Sequence, residues 1–321
     1  MTFVSNDPSL WPYINAFRFF SYFVVASSVA VIYDWVLSFG QEVDLIWSQR
    51  WSFMTFLYLS VRYIGIPYVT LSILLSLPTF SASDVLGTPS LYDFEQLVMN
   101  FALNWSSFIV NAMLGVIMIA RLYAMHQKSK RVLIFVVVVF SAITIACGVF
   151  VGILDKNTSA EEIIFSGNYQ CDFTIQESAQ SLVPKTWVLG TVWEIVALFL
   201  AVWVGVKDFR SQPSTGSVMG DCLSVLMKTH MLYFASFVAS SCFHLGDFSP
   251  KMENSSSVGG QVYDGSLMFW GLVQMFVLGP RLILSVRELN APPLDDGPDE
   301  VGTSATINFQ MQVRMSTSSD V

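Results

Sequence analysis

Long apolar runs separated by short polar stretches organise most of the chain. They lie near 15–38, 51–77, 100–122, 132–154, 186–207, 223–245 and 265–285. A helix needs about 20 apolar residues to cross the hydrocarbon core of a bilayer, and each run reaches that length. The pattern predicts an all-α polytopic membrane protein, a bundle of seven transmembrane helices over 15–287. Residues 1–14 precede the bundle and 288–321 follow it. The first run does not read as a cleavable signal: no basic region precedes it, and no small-residue cleavage site follows it.

Between the runs, Lys and Arg fall mainly on one side. Arg121, Lys128, Lys130 and Arg131 follow the third run, and Lys207, Arg210 and Lys228 lie between the fifth and sixth. Arg50 joins the first two runs, while Arg281, Arg287 and Arg314 lie at or beyond the end of the last. Opposite loops hold only Lys156, Lys185 and Lys251. Cytoplasmic loops carry the excess of basic residues, so the N-terminus is expected outside and the C-terminus in the cytoplasm. The glycosylation triplets at Asn157 and Asn254 fall on the expected outer side, while a third, at Asn104, falls inside a span. The tail from 288, with paired prolines, an acidic cluster and a terminal Ser/Thr run, is expected to be disordered.

Composition sharpens this picture. Of the 321 residues, 53% are hydrophobic and only 12% are charged, about half the charged share of a soluble domain. The net charge of −8 has no basic tract behind it, so nucleic acid is excluded as a partner. The lipid bilayer is the partner the pattern demands. His126, His230 and His244 are dispersed, and no HExxH, G-x-S-x-G or glycine-rich phosphate loop is present. No catalytic residue, metal site or cofactor is therefore expected, and the chain does not read as an enzyme.

The segment YDWVLSFGQEVDLIWSQRWSFMTFLYLSVRY, residues 33–63, contains Tyr33-Asp34, Glu42-Val43, Ile46-Trp47 and Arg62-Tyr63. It resembles the signature of a fungal family of seven-helix membrane proteins, expanded in mushroom-forming fungi and catalogued as a domain of unknown function. ARLYAMHQKSKRVL (120–133) and LGPRLILSVRE (278–288) resemble further parts of that family. The resemblance implies a fold and a membrane location, without an activity. Relatives often carry a cysteine near the start of the third helix, and MNFALNWSSF has none.

Ionisable groups within membrane spans are costly and mark candidate sites. Arg62 lies 11 residues beyond Trp51, roughly 16 Å deep at 1.5 Å per residue. Glu194 lies nine residues beyond Lys185, roughly 13 Å from the other side. Asn111 and Gln274 fall at similar depths, so the four predict a midplane polar network with Arg62 and Glu194 as its ion pair. Its roles would be a structural tie between helices or a ligand or ion site. Pro67 and Pro280 are expected to kink their helices.

Cys171 and Cys242 are a candidate outer disulfide pair. Arg121, Tyr123, Lys128, Lys130 and Arg131 form either a basic interfacial anchor or a surface for a cytoplasmic signalling partner. Stretch 33–47 is expected to be a cytoplasmic turn: Asp34 within reach of water, Glu42 and Asp44 in solvent, and Val43, Ile46 and Trp47 resting on the leaflet. These features predict an integral membrane protein of unestablished activity. A receptor or sensor for an unknown ligand leads; a transporter or channel working through Arg62 and Glu194, or a structural protein, are the alternatives.

Overall fold

The computed structural model describes residues 3–5, 11–48, 51–76, 89–126, 129–165, 168–211, 258–290 and six positions between 235 and 243. By internal contacts the chain divides into Met1–Asn290 and Ala291–Val321. The expected tail lies outside the described residues, as does most of the expected span 223–245.

Helix α1 is Trp11–Glu42, α2 Phe53–Ser76, α3 Pro89–Met125, α4 Lys130–Lys156 and α5 Leu182–Ser211. The last rod is α6, Val258–Val273, continued through a π-helical turn, Gln274–Leu278, into α7, Gly279–Asn290. A second π turn, Val43–Trp47, extends α1. Among the described residues six helical rods are long and apolar enough to cross a membrane. Pro67 sits inside α2, whose helical assignment continues through it. Pro280 follows directly on a π turn, a local widening that re-routes backbone hydrogen bonds.

The apolar surface explains why the helices need lipid. Phe135, Val138 and Ile145 of α4 are 54%, 61% and 68% exposed, and α5 likewise exposes Phe199 and Trp203. Water around such stripes would be strongly unfavourable, whereas acyl chains match them. The inward faces form two clusters. One gathers Val31, Leu57, Tyr58, Val61, Val110 and Phe276 from α1, α2, α3 and the last rod. The other joins Met118, Leu122, Val136, Trp193 and Ala197 from α3, α4 and α5. Small residues let the helices approach closely. A side chain at Gly265 of α6 would run into the Phe23 ring of α1, and one at Gly115 of α3 into the Phe140 ring of α4.

A small three-stranded sheet accompanies the all-α bundle at one end. Strand β2, Thr158–Phe165, pairs antiparallel with β3, Asn168–Ile175, and β1, Phe3–Ser5, adds to β2 in parallel. Segment 158–175 lies between two of the expected spans, its polar positions interspersed with Ile and Phe. Those β-favouring residues and the two-residue connection between Phe165 and Asn168 suit a hairpin. The sheet ties the N-terminal segment to the α4–α5 connection, and this sheet end is opposite the end where α1 runs into α2.

Replacing Gly265 with Val should destabilise the bundle by about 1–3 kcal/mol, the usual scale of overpacking. Heating the full chain in detergent and following the monodisperse fraction should show a lower midpoint; an unchanged midpoint would contradict the Phe23 packing.

Candidate functional site: a buried ion cluster and a cavity at the sheet end

On α1, Asp34, Ser38 and Glu42 recur at i, i+4 and i+8, so they stack on one helical face. On α2, Tyr58 and Arg62 stand one turn apart on the face toward them. Arg62 and Glu42 have side chains 2% and 0% exposed, and Arg62 Nε lies 2.5 Å from Glu42 Oε2. That approach is a close charge contact rather than an aligned hydrogen bond, because Nε has no acceptor in line. The guanidinium directs Nη2 elsewhere, donating to the Trp35 carbonyl at 2.7 Å and to Ser38 Oγ at 2.9 Å. Ser38 Oγ in turn donates to the Asp34 carbonyl at 2.5 Å. Nη1 stands 3.9 Å from Asp34 Oδ2.

Glu42 collects three further donors. Tyr63 OH and Trp47 Nε1 each reach Oε1 at 3.1 Å, and Tyr58 OH approaches Oε2 at 3.4 Å. In a regular α-helix a residue five positions on points away from its predecessor; the wider π turn brings Trp47 back over Glu42. Asp34 is buried and takes a second cation, Arg281 Nε of α7, at 2.6 Å. Arg281 is half exposed. Two carboxylates and two guanidiniums thus balance across α1, α2 and α7. Nearby, Arg121 of α3 donates from Nη2 to the Leu282 carbonyl at 2.5 Å.

The midplane pairing expected from depth alone is corrected here. Arg62 pairs with Glu42 and Asp34 on the neighbouring helix, not with Glu194 on α5. Of the other three, Asn111 and Glu194 share a cavity and Gln274 stands apart. Asn111 donates to the Ser107 carbonyl within α3 and lines a cavity with Glu194. Gln274 is buried in the last rod's π turn, its Oε1 unpartnered among the described residues. Asp34 and Glu42 are not solvated: they are 4% and 0% exposed. Ile46 is buried in the core, while Val43 and Trp47 remain about half exposed. The signal that would have revealed the cluster is the i, i+4, i+8 polar stripe, which extends past the position where the apolar run stops.

The cavity encloses about 820 Å³ and is lined from α2, α3, α4, α5, β3 and the last rod. Phe173 and Ile175 of β3 lie at its sheet end, with Asn104 of α3 and Asp155 of α4. It continues to Phe140, Trp193 and Glu194; Asp155 and Phe140 are about 22 Å apart along α4. Asn104 donates to Asp155 Oδ1 at 2.9 Å, so this triplet asparagine is engaged inside the bundle. Arg62 does not line the cavity.

The remaining expected residues divide. Asn157 caps α4, donating to the Ile153 carbonyl, and Asn254 lies outside the described residues. Cys242 is an exposed free thiol, so the pairing with Cys171 is not made; Cys171 lies on β3, and its side chain is outside those described. Lys130 and Arg131 are exposed and Tyr123 is half buried; Lys128 lies outside the described residues. Arg121 braces α3 against α7, an internal task rather than a free docking charge. Among the described residues no three metal-binding side chains cluster.

Fold and site define an all-α, multi-pass integral membrane protein. Residues 22–67 match a family described as a family of unknown function, DUF6533. That segment covers most of α1, its π turn and α2 through Pro67, and so includes the core of the ion cluster: Asp34, Glu42, Tyr58, Arg62 and Tyr63. No curated protein matches the chain.

Removing one member of a buried ion pair costs about 3–5 kcal/mol, because the other charge stays uncompensated. Arg62→Ala and Glu42→Ala should each sharply reduce the folded yield of the full chain, while the exchange Glu42→Arg with Arg62→Glu recovers part of it. Pairing Arg62→Glu with Glu194→Arg should recover nothing. Arg281→Ala leaves buried Asp34 with Arg62 alone at 3.9 Å, so it should cost about 1–3 kcal/mol, read as a fall in the unfolding midpoint.

Proposed function

We propose that this protein is a membrane receptor or sensor that takes a small ligand in the cavity at the sheet end. The carrying observation is the cavity itself: about 820 Å³, within the range of ligand pockets, apolar for the most part with a few convergent polar groups. The Lys and Arg distribution supports an outward N-terminus, with the sheet end on the extracellular or luminal side. The basic residues after α3 then face the cytoplasm, where Lys130 and Arg131 are exposed to a signalling partner or to lipid headgroups. The reading involves no catalytic step. A transport route through a joint Arg62–Glu194 site loses its premise, because Arg62 is held by Glu42 and Asp34 apart from the cavity.

Cys147 of α4 carries a free thiol and lines the cavity, which makes the reading testable without knowing the ligand. In a full chain carrying Cys171→Ser, Cys222→Ser and Cys242→Ser, a small water-soluble methanethiosulfonate should label Cys147. Gly190 also lines the cavity and has open space where a side chain would project. Adding Gly190→Trp should preserve folding and drop labelling to the background of the cysteine-free chain. A folded chain whose Cys147 never labels would overturn the proposal.

A further inference from the structure

The geometry points to an organic cation, a protonated amine on an apolar body, as the ligand class of the cavity. This inference rests on the cavity reading above and adds the chemistry of its occupant.

Charge comes first. The described lining includes the carboxylates of Asp155, Glu194 and Asp264 and contains no Lys, Arg or His. Asp155 is the most telling of them. Its Oδ1 accepts from Asn104, but Oδ2 is fully buried and has no hydrogen-bond partner among the described residues. An ionised carboxylate with an unsatisfied buried oxygen is strongly disfavoured. A cation entering the cavity would supply the missing partner.

The walls fit the rest of such a molecule. Phe108, Phe173 and Trp187 line the same space, and aromatic faces attract ammonium groups, most strongly away from water. Aliphatic residues such as Leu154, Leu267 and Met268 also line it and suit an apolar body. A divalent metal is a poorer fit, because no three metal-binding side chains cluster among the described residues and such ions need several oxygen ligands at short range.

The test uses the Cys147-only full chain in nanodiscs of zwitterionic phosphatidylcholine, whose neutral surface does not enrich cations. Protonated phenylbutylamine, phenylbutanol and phenylbutyrate are compared as protectants of Cys147 against methanethiosulfonate. The cation should protect at a concentration about tenfold lower than the alcohol, the scale of one hydrogen bond to a charged group. Phenylbutyrate should protect least. Asp155→Asn keeps an acceptor for Asn104 while removing the charge; it should raise the half-protecting concentration of the cation about tenfold and leave that of the alcohol unchanged. If Asp155→Asn does not fold, the comparison of the three probes on the unsubstituted site decides alone. Equal protection by cation and alcohol, or no protection by any probe, would overturn the cation assignment while the labelling itself sustains the cavity. An unlabelled Cys147 would remove both.

Discussion

Arg62 is a permanent cation with a side chain only 2% exposed, inside a protein whose helices face lipid. A buried guanidinium must be surrounded by acceptors and opposite charge. Much of the unusual local structure follows. Helix α1 continues to Glu42, beyond its most apolar stretch, because Glu42 is needed opposite Arg62. The π turn after it brings Trp47 onto the same carboxylate. Asp34, drawn in by Arg62, takes Arg281 as a second counter-charge and so ties α7 to the first hairpin.

The bundle is accordingly unlike at its two ends. The end where α1 passes into α2 is cross-braced by ion pairs and by Arg121 on the Leu282 carbonyl. The sheet end is hollow, with α3, α4, α5 and the last rod spaced around a cavity and β3 beside it. A rigid polar knot costs desolvation and rewards it with a unique arrangement of three helices, whereas a cavity forgoes packing contacts. Ligand-binding regions are commonly drawn from the less tightly packed part of a fold. The separation also places the family match on the braced half: residues 22–67 carry the knot, and α3 to α6 carry most of the cavity lining.

Several parts of this arrangement were legible in the residues. Each expected span outside 223–245 has its helix, displaced by several residues at most ends, because polar turns at helix ends carry no apolar signal. Arg62 was recognisable as a buried charge from its depth alone. Its partner was not, since depth constrains only one coordinate. Glu194 matched Arg62 in level, but helix neighbours and rotation determine contact, and α1 rather than α5 presents acids to that face of α2. Helical periodicity along 34–42 held the needed information and was masked by treating the segment as a turn.

What the sequence determined by itself is the partition between lipid and water: long apolar runs fix where helices cross, since an unsatisfied backbone in hydrocarbon is too costly for anything but helix or closed barrel. Its basic loops likewise set the expected orientation. Tertiary structure alone decided which polar groups meet. Asp34, Glu42, Arg62 and Arg281 are joined across as many as 247 positions of chain, and Asn104 meets Asp155 across 51. Such pairings depend on the rotation and crossing of packed helices, quantities that arise only when several helices choose their faces together.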